Sequence, residues 1–248
     1  MTSFVLVHGA WNGSWCWKRV RRLLQAQGHD VFTPTLTGVG ERSHLLSRDV
    51  NLETHILDVV NLIRWEELSD IVLCGHSYGG CVISGVADRV PDRIRSLVYL
   101  DAFVLQDGEN LLQHVPEPQR NQLLEGAAGQ PEGWKVPPIP AEVFKVNSND
   151  YEWVNRQCTP QPIETFRQRI QFRGSAKITT LRSSSQQDFA KVHLSLRSTK
   201  RPKLKAGRPS QLNVDTTSCW TGPKNLQGSF SSRPLLPNLR RPVARSSG

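Results

Sequence analysis

The pentapeptide Gly75-His76-Ser77-Tyr78-Gly79 decides the fold of this chain. It fits the pattern G-x-S-x-G, in which a serine lies on a sharp turn between a strand and a helix with its Oγ clear of the backbone. Residues 71–74 form a short apolar run typical of a buried parallel strand, and apolar residues recur at helical spacing over 82–90. We therefore predict a nucleophilic serine at position 77. The alternative is an ordinary serine in a glycine-rich turn.

Strand and helix patterns alternate through the first hundred residues. Apolar runs predict strands at residues 4–7, 30–33, 71–74 and 96–100, and helical periodicity predicts helices at 14–28, 52–65 and 79–90. Alternation at this spacing predicts an α/β fold with a doubly wound, mostly parallel sheet. Ligands of such sheets bind outside the carboxyl ends of the strands, where Gly9, Ser77 and Asp101 all fall.

The alternation stops after residue 106, and this divides the chain. Residues 1–106 are the predicted core. Residues 107–172 are rich in proline and polar residues, with helical patches at 111–114 and 118–124. An insertion at this point overhangs the carboxyl edge of the sheet, so we predict a helical cap; the alternative is a loosely ordered excursion. Residues 173–248 form an atypical tail, predicted to be disordered, in place of the last core elements.

Charge is distributed unevenly along the 248 residues. The net charge is +9, but residues 1–173 carry 17 Lys+Arg and 20 Asp+Glu, a balance of −3, whereas residues 174–248 carry 14 and 2, a balance of +12. The basic run at 200–205 attracts phosphates in principle. It lacks interleaved aromatic residues, so a solvated run is the better interpretation, and we predict no nucleic-acid partner.

The cysteines and the N-terminus indicate a compartment. Five cysteines, an odd number without metal-ligand spacing, favour a reduced interior. Cys74 and Cys81 flank the Ser77 turn and are expected to be small core residues rather than ligands. The chain enters its first strand without a basic leader or a long apolar stretch, which predicts neither a signal peptide nor a membrane helix. A cytoplasmic protein without a membrane partner is expected.

Three stretches resemble the α/β-hydrolase superfamily, specifically its small esterases related to plant methyl esterases and hydroxynitrile lyases. They are Phe4-Val5-Leu6-Val7-His8-Gly9-Ala10-Trp11, Gly75-His76-Ser77-Tyr78-Gly79-Gly80 and Leu97-Val98-Tyr99-Leu100-Asp101-Ala102-Phe103. The resemblance covers about residues 3–173. It implies a serine-dependent carboxylic ester hydrolase that works through an acyl-enzyme on a small-molecule ester. Such chemistry needs no metal and no organic cofactor.

The resemblance assigns roles to individual positions. Ser77 is the implied nucleophile, and the backbone N–H groups of Ala10 and Tyr78 form the implied oxyanion hole. Asp101 occupies the position of the catalytic acid in some members, where a carboxylate orients the histidine. In many other members the acid follows a later strand, and Asp101 then only caps the turn after its own strand.

Other positions near the nucleophile also match the family. Gly9 and Trp11 are implied to line the substrate pocket, and relatives that cleave cyanohydrins carry threonine where this chain has Gly9. That departure favours ester hydrolysis over the lyase reaction. The other alternative is a non-catalytic protein, a dead hydrolase on the same scaffold. His8 resembles the family's structural histidine, with a direct acid–base role as the less favoured alternative. His76 occupies a variable position and is expected only to pack.

The general base that this chemistry needs is missing from its usual place. The family shows Gly-His-Asp near the C-terminus, whereas the one histidine after residue 114 is His193, with neither neighbour. Codons permitted by residues 214–227, read one base earlier, encode Cys-Gly-His-Asp-Val-Met-Leu-Asp-Arg-Pro-Glu-Glu-Leu-Ala. We therefore predict that the chain runs out of frame from a point between about residues 175 and 206. The alternative is a natural divergent tail with a chance match.

Overall fold

Five parallel strands form the central sheet, in the order β2-β1-β3-β4-β7. The computed structural model describes residues 1–144 and 146–174, together with the backbone of residues 181–183. The strands are β1 (Ser3–Val7), β2 (Asp30–Phe32), β3 (Ile71–His76), β4 (Ile94–Leu100) and β7 (Leu181–Ser183). Each of the four predicted strands is present. The predicted doubly wound parallel sheet is confirmed.

Three helices connect the strands, and their starts follow from local sequence. They are α1 (Lys18–Ala26), α2 (Leu52–Trp65) and α3 (Gly79–Arg89). Helix α2 has its predicted bounds because Asn51 caps it: its side chain accepts from the Thr54 N–H, and the Thr54 hydroxyl bonds back to the Asn51 N–H. The predicted helix at 14–28 begins instead with a 3₁₀ turn at Ser14–Trp17, which tightens its first turn.

Apolar side chains cover both faces of the sheet. One face buries Val5, Val7, Leu73 and Leu97 against α2 and α3, and the other buries Leu6, Cys74 and Leu100 with Trp17 from the first 3₁₀ turn. Cys81 lies in the first of these clusters and Cys74 in the second, so both are core residues as predicted. Four cysteines within the described ranges carry free thiols.

Residues 107–172 fold over the carboxyl edge of the sheet. They contain α4 (Glu117–Ala128), α5 (Tyr151–Gln157), α6 (Glu164–Arg167) and the antiparallel pair β5 (Lys135–Val136) and β6 (Gln161–Pro162). Two guanidinium bonds of 2.6 Å each join Arg19 on α1 to Asp150 just before α5. The Gly40 N–H also donates to Thr159 Oγ1 at 2.8 Å. The segment therefore contains regular elements that are tied to the core at Arg19 and Gly40.

Residues 173–248 differ in one respect from the disordered tail that the sequence predicts. The backbone of β7 pairs with β4 over Val98–Leu100, so part of this segment adds a fifth strand to the sheet. An exposed strand edge presents unpaired N–H and C=O groups that a following extended segment satisfies. His193, the basic run at 200–205 and residues 214–227 lie outside the described residues.

No described helix is long and apolar enough to cross a membrane. Across the same ranges, no group of three or more His, Cys, Asp or Glu side chains is placed to hold a metal ion.

Candidate active site

Close backbone packing shapes the turn that carries Ser77. A Cβ added at Gly75 would lie 2.5 Å from the carbonyl oxygen of Gly79, and a Cβ added at Gly79 would lie 2.7 Å from the carbonyl oxygens of Val7 and His8. These contacts are with backbone atoms that no side-chain rotation can move. Glycine at both positions is therefore a steric requirement of the turn.

Ser77 itself is held in a conformation that side chains rarely adopt. Its φ is 51°, in the left-handed region, and it lies at the step between β3 and α3. Its N–H donates to Leu100 O at 3.3 Å, and its own carbonyl accepts from Phe103 N–H at 3.1 Å. These bonds tie the turn to the end of β4 and offset a backbone strain of about 1–3 kcal/mol. The side chain remains half-buried, open to solvent on one side.

The loop after β1 passes directly beside Ser77. A Cβ added at Gly9 would lie 3.1 Å from Ser77 Cβ, so the loop backbone approaches the serine closely. The next residue, Ala10, is half-buried, and Tyr78 follows Ser77 at the start of α3. Within the described part of the chain, neither the Ala10 N–H nor the Tyr78 N–H donates a hydrogen bond. Both N–H groups are therefore without a partner among the described residues.

His8 is fully buried beneath this loop. Its Nδ1 donates to Gly9 O at 2.8 Å, and its Nε2 accepts from Leu36 N–H at 3.1 Å. Both ring nitrogens are therefore engaged in a neutral ring protonated on Nδ1. Burial lowers the pKa of His8 to about 4, which keeps the ring neutral at physiological pH. These contacts support the structural role implied for His8.

The Tyr78 side chain points into the core, away from the reacting side of Ser77. Its hydroxyl donates to His55 Nδ1 at 2.8 Å, and His55 Nε2 donates to Thr37 O at 2.8 Å. Its ring packs edge-on against Phe166, with ring centroids 5.6 Å apart. Burial raises the pKa of Tyr78 well above its usual range and lowers that of His55 to about 4. The sequence did not single out His55, whose only signal was its place on the buried face of α2.

Asp101 lies at the sheet edge beside the serine turn. The register pairs His76 with Leu100, so Asp101 and Ser77 follow at the same level on adjacent strands. Asp101 has φ 43° and is exposed. Among the described residues its carboxylate accepts no hydrogen bond, so it does not cap the following turn there. The same carboxylate acts electrostatically on His76, whose pKa it tends to raise.

His76 points to the opposite face of the sheet from α3, towards Trp17, with ring centroids 6.4 Å apart. Its Nδ1 is buried and has no hydrogen-bond partner among the described residues. Burial is the largest influence and lowers the pKa of His76 to about 4. Packing is therefore the role that these contacts support.

Trp11 lies between the loop and the cap. It has φ 63°, and its indole packs against Phe144 and Phe166, at 6.5 and 6.0 Å between centroids. Its Nε1 donates to Val136 O at 3.2 Å, and its backbone N–H donates to Gln161 Oε1 at 2.9 Å. Phe144 remains 45% exposed, so the cluster of Trp11, Phe144 and Phe166 is accessible to solvent at Phe144. Sequence reasoning missed Gln161, because nothing in the local pattern pairs it with a residue 150 positions away.

Two cavities lined by described residues lie away from the serine turn. The larger, about 510 Å³, lies between α2, the end of α3 and residues 168–173. The smaller, about 400 Å³, lies beside Thr35, Asp58 and Trp65. Ser77 lines neither of these two cavities.

Comparisons with known proteins agree with this architecture. The model of the Alpha/beta hydrolase family matches residues 4–195, further along the chain than the motifs alone reach. A carbendazim hydrolyzing esterase from Nocardioides sp. (strain SG-4G) is 50% identical over 173 residues, covering 67% of this chain and 72% of that protein.

Similar plant proteins include methylesterases and a lyase. The alpha-hydroxynitrile lyase of Arabidopsis thaliana is 32% identical over 113 residues, covering 45% of this chain and 43% of its own length. The chain thus spans less than half of the plant lyase. Among solved structures, an extracellular alpha/beta-hydrolase from a Paenibacillus species superposes with a TM-score of 0.66 at 27% identity, covering 73% of this chain and 76% of that one.

Proposed function

This chain belongs to the alpha/beta hydrolase family, and from that premise we propose that it is built for serine-dependent hydrolysis of small carboxylic esters. The observation that carries the proposal is the surroundings of Ser77. The serine has a left-handed backbone conformation, the loop at Gly9 passes beside it, and the N–H groups of Ala10 and Tyr78 have no partner among the described residues. The resemblance to an esterase at 50% identity supports the same chemistry.

The proposed reaction uses these groups in a fixed order. Ser77 Oγ attacks the ester carbonyl, and its proton passes to a base. The N–H groups of Ala10 and Tyr78 stabilise the negative charge that develops on the carbonyl oxygen. Collapse of the tetrahedral intermediate expels the alcohol and leaves an acyl group on Ser77, which water then removes as the acid. A base is needed in both halves of the reaction.

Three of the described histidines, His8, His55 and His76, are held in the core by contacts that oppose a role as that base. His8 and His55 each use both ring nitrogens in hydrogen bonds inside the core. His76 has a buried Nδ1 on the face of the sheet opposite α3. We propose that the histidine of the ancestral enzyme is lost from this chain by the change of frame between about residues 175 and 206. The enzyme as written is then impaired, with residual catalysis over water of about 10³–10⁴-fold.

The lyase reaction is the second candidate, because a plant alpha-hydroxynitrile lyase is among the similar proteins. Space beside Gly9 opposes it. A Cβ at Gly9 would lie 3.1 Å from Ser77 Cβ and 3.1 Å from His76 Nδ1, so the threonine that the resemblance associates with cyanohydrin cleavage would be tightly packed and would shift these side chains slightly. We therefore keep ester hydrolysis as the proposed reaction.

Other features of the described residues support proposals for the catalytic acid, the substrate pocket and the compartment. Asp101 is proposed as the acid, since its carboxylate is exposed at the level of Ser77. Trp11, with Phe144 beside it, is proposed to offer an aromatic wall to a modest apolar acyl or alcohol group. The free thiols of the described cysteines support a reducing, cytoplasmic compartment.

The test is hydrolysis of p-nitrophenyl acetate by the purified 248-residue chain. Its Ser77→Ala variant and the same chain with the reading frame restored near residue 200 are measured alongside. The proposal expects turnover that requires Ser77 and that is far greater in the restored chain. Turnover that survives Ser77→Ala in both backgrounds contradicts the assigned nucleophile. Sequencing the gene tests the proposed change of reading frame directly. If no single-base change restores an in-frame Gly-His-Asp, the proposed change of frame is wrong.

A further inference from the structure

The oxyanion loop, residues 8–13, is held from the cap side at its most strained residue. Trp11 directly follows Ala10 and has φ 63°, a value that costs free energy in any residue with a side chain. Three hydrogen bonds hold it there, and all three come from residues 136–161 of the cap: the backbone N–H to Gln161 Oε1 (2.9 Å), the carbonyl from Thr159 N–H (3.0 Å) and the indole Nε1 to Val136 O (3.2 Å).

Only one of these partners is a side chain, and it is almost inaccessible to water. Gln161 is 1% exposed, and its Nε2 donates to Thr165 Oγ1 at 2.8 Å. Thr165 Oγ1 in turn donates to Pro162 O at 2.6 Å. Because the threonine hydroxyl has already spent its proton, it can only accept from Gln161. That fixes the orientation of the amide, with Oε1 facing Trp11 N–H.

From these contacts we infer that Gln161 is a positioning residue for the oxyanion hole. It holds Trp11 in the left-handed conformation, and Trp11 in turn fixes the peptide plane that aims the Ala10 N–H at the carbonyl oxygen over Ser77. Residues 136–161 therefore shape the oxyanion loop through their bonds to Trp11. This inference rests on the proposed ester hydrolysis.

Gln161→Met tests the role, because methionine keeps the length and volume of the side chain and removes the acceptor. Gln161→Glu retains an Oε acceptor for the Trp11 N–H, and the Thr165 hydroxyl can donate to its other oxygen by giving up the bond to Pro162 O, so this variant is the rescue. Gln168→Met is the matched control. Gln168 also lies in residues 107–172 and also accepts from a backbone N–H, that of Glu53 at 2.7 Å, but it does not touch the loop.

Kinetics are measured in the full chain, and in the frame-restored chain if only that chain turns over. Removal of an oxyanion donor lowers kcat about 10²–10³-fold, so its misalignment in Gln161→Met is expected to lower kcat about 10–100-fold with KM nearly unchanged. Gln161→Glu and Gln168→Met are expected to stay within about fivefold of the parent. Hydrogen exchange of the Trp11 N–H is expected to accelerate roughly tenfold or more in Gln161→Met alone.

The outcomes separate this inference from the function on which it rests. If turnover depends on Ser77 but Gln161→Met keeps the parental kcat, or if Gln168→Met loses as much, the positioning role is overturned while ester hydrolysis stands. If no chain shows Ser77-dependent turnover, the proposed function fails and the inference falls with it.

Discussion

Acidification is expected to destabilise this protein through two buried neutral histidines. His8 and His55 are both fully buried, and burial lowers the pKa of each from 6.5 to about 4. In the unfolded chain both rings take up a proton below pH 6.5, whereas in the native state they stay neutral down to about pH 4. The stability they confer is therefore fully present above pH 6.5 and is lost as the pH falls towards 4.

The size of the effect follows from the two pKa values. At pH 5, protonation of each histidine stabilises the unfolded chain relative to the native protein by roughly 2 kcal/mol. The pair therefore lowers the free energy of unfolding by about 4 kcal/mol relative to pH 7.5. His76 contributes in the same direction, but it is half-buried and solvent screens part of its shift. A loss of this size is a large fraction of the total stability of an ordinary domain, about 5–15 kcal/mol.

Urea unfolding followed by tryptophan fluorescence, at pH 7.5, 6.5, 5.5 and 5.0, measures this dependence. His55→Gln removes one titrating ring while an amide can still accept from Tyr78 and donate to Thr37 O. Its stability should therefore fall by about 2 kcal/mol less between pH 7.5 and pH 5. Gln168→Met removes no titrating group, so it is the control and should leave the dependence unchanged. A free energy of unfolding that is flat over this range, or a His55→Gln variant with the parental slope, would refute the reasoning.

Three further substitutions test the turn, the loop and the cap. Gly75→Ala places a Cβ 2.5 Å from Gly79 O and should lower the free energy of unfolding by about 3 kcal/mol or prevent folding. Its control is Gly126→Ala, whose Cβ would lie 3.4 Å from Pro137 Cδ and should be tolerated in the same urea titration. Gly9→Thr should reduce Ser77-dependent ester turnover about tenfold or more, because the added side chain crowds Ser77. The variant should not cleave the cyanohydrin mandelonitrile, and release of cyanide from it would contradict the choice of ester hydrolysis. Asp150→Asn breaks the two-bond pair with Arg19, whose side chain is 37% exposed, and should lower the free energy of unfolding by about 1 kcal/mol. Glu152→Gln removes an ion pair whose carboxylate is 94% exposed and should not change that free energy measurably. Equal losses in the two variants would contradict a stabilising role for the Arg19–Asp150 pair.

The core of this protein could be predicted from sequence because its signals are local. Helix α2 has its predicted bounds, 52–65, since periodic apolar residues and the Asn51 cap act within one segment. The serine turn was predictable for the same reason: the glycines at 75 and 79 are required by contacts that any chain with this strand–turn–helix would make. The pattern favoured the correct sheet because each strand is a short apolar run between helices.

The cap could not be predicted in detail because its order comes from distant contacts. Helices α5 and α6 have only seven and four residues, too short for periodicity to reveal them. Their positions depend on partners such as Arg19 for Asp150, 131 residues away, and Trp11 for Gln161, 150 residues away. A sequence pattern does not show such pairs, so Gln161 became visible only in three dimensions.

The central claim is that Ser77 is the nucleophile, and the acyl-enzyme tests it most directly. The full chain is incubated with p-nitrophenyl butyrate, quenched with acid and digested, and the acylated peptide is identified by mass spectrometry. The proposed loss of the histidine would slow deacylation as well as acylation, so a butyryl group is expected to persist on Ser77 and to be absent from Ser77→Ala. A butyryl group on another residue in both proteins, or none on Ser77 in either the written or the frame-restored chain, would contradict the account.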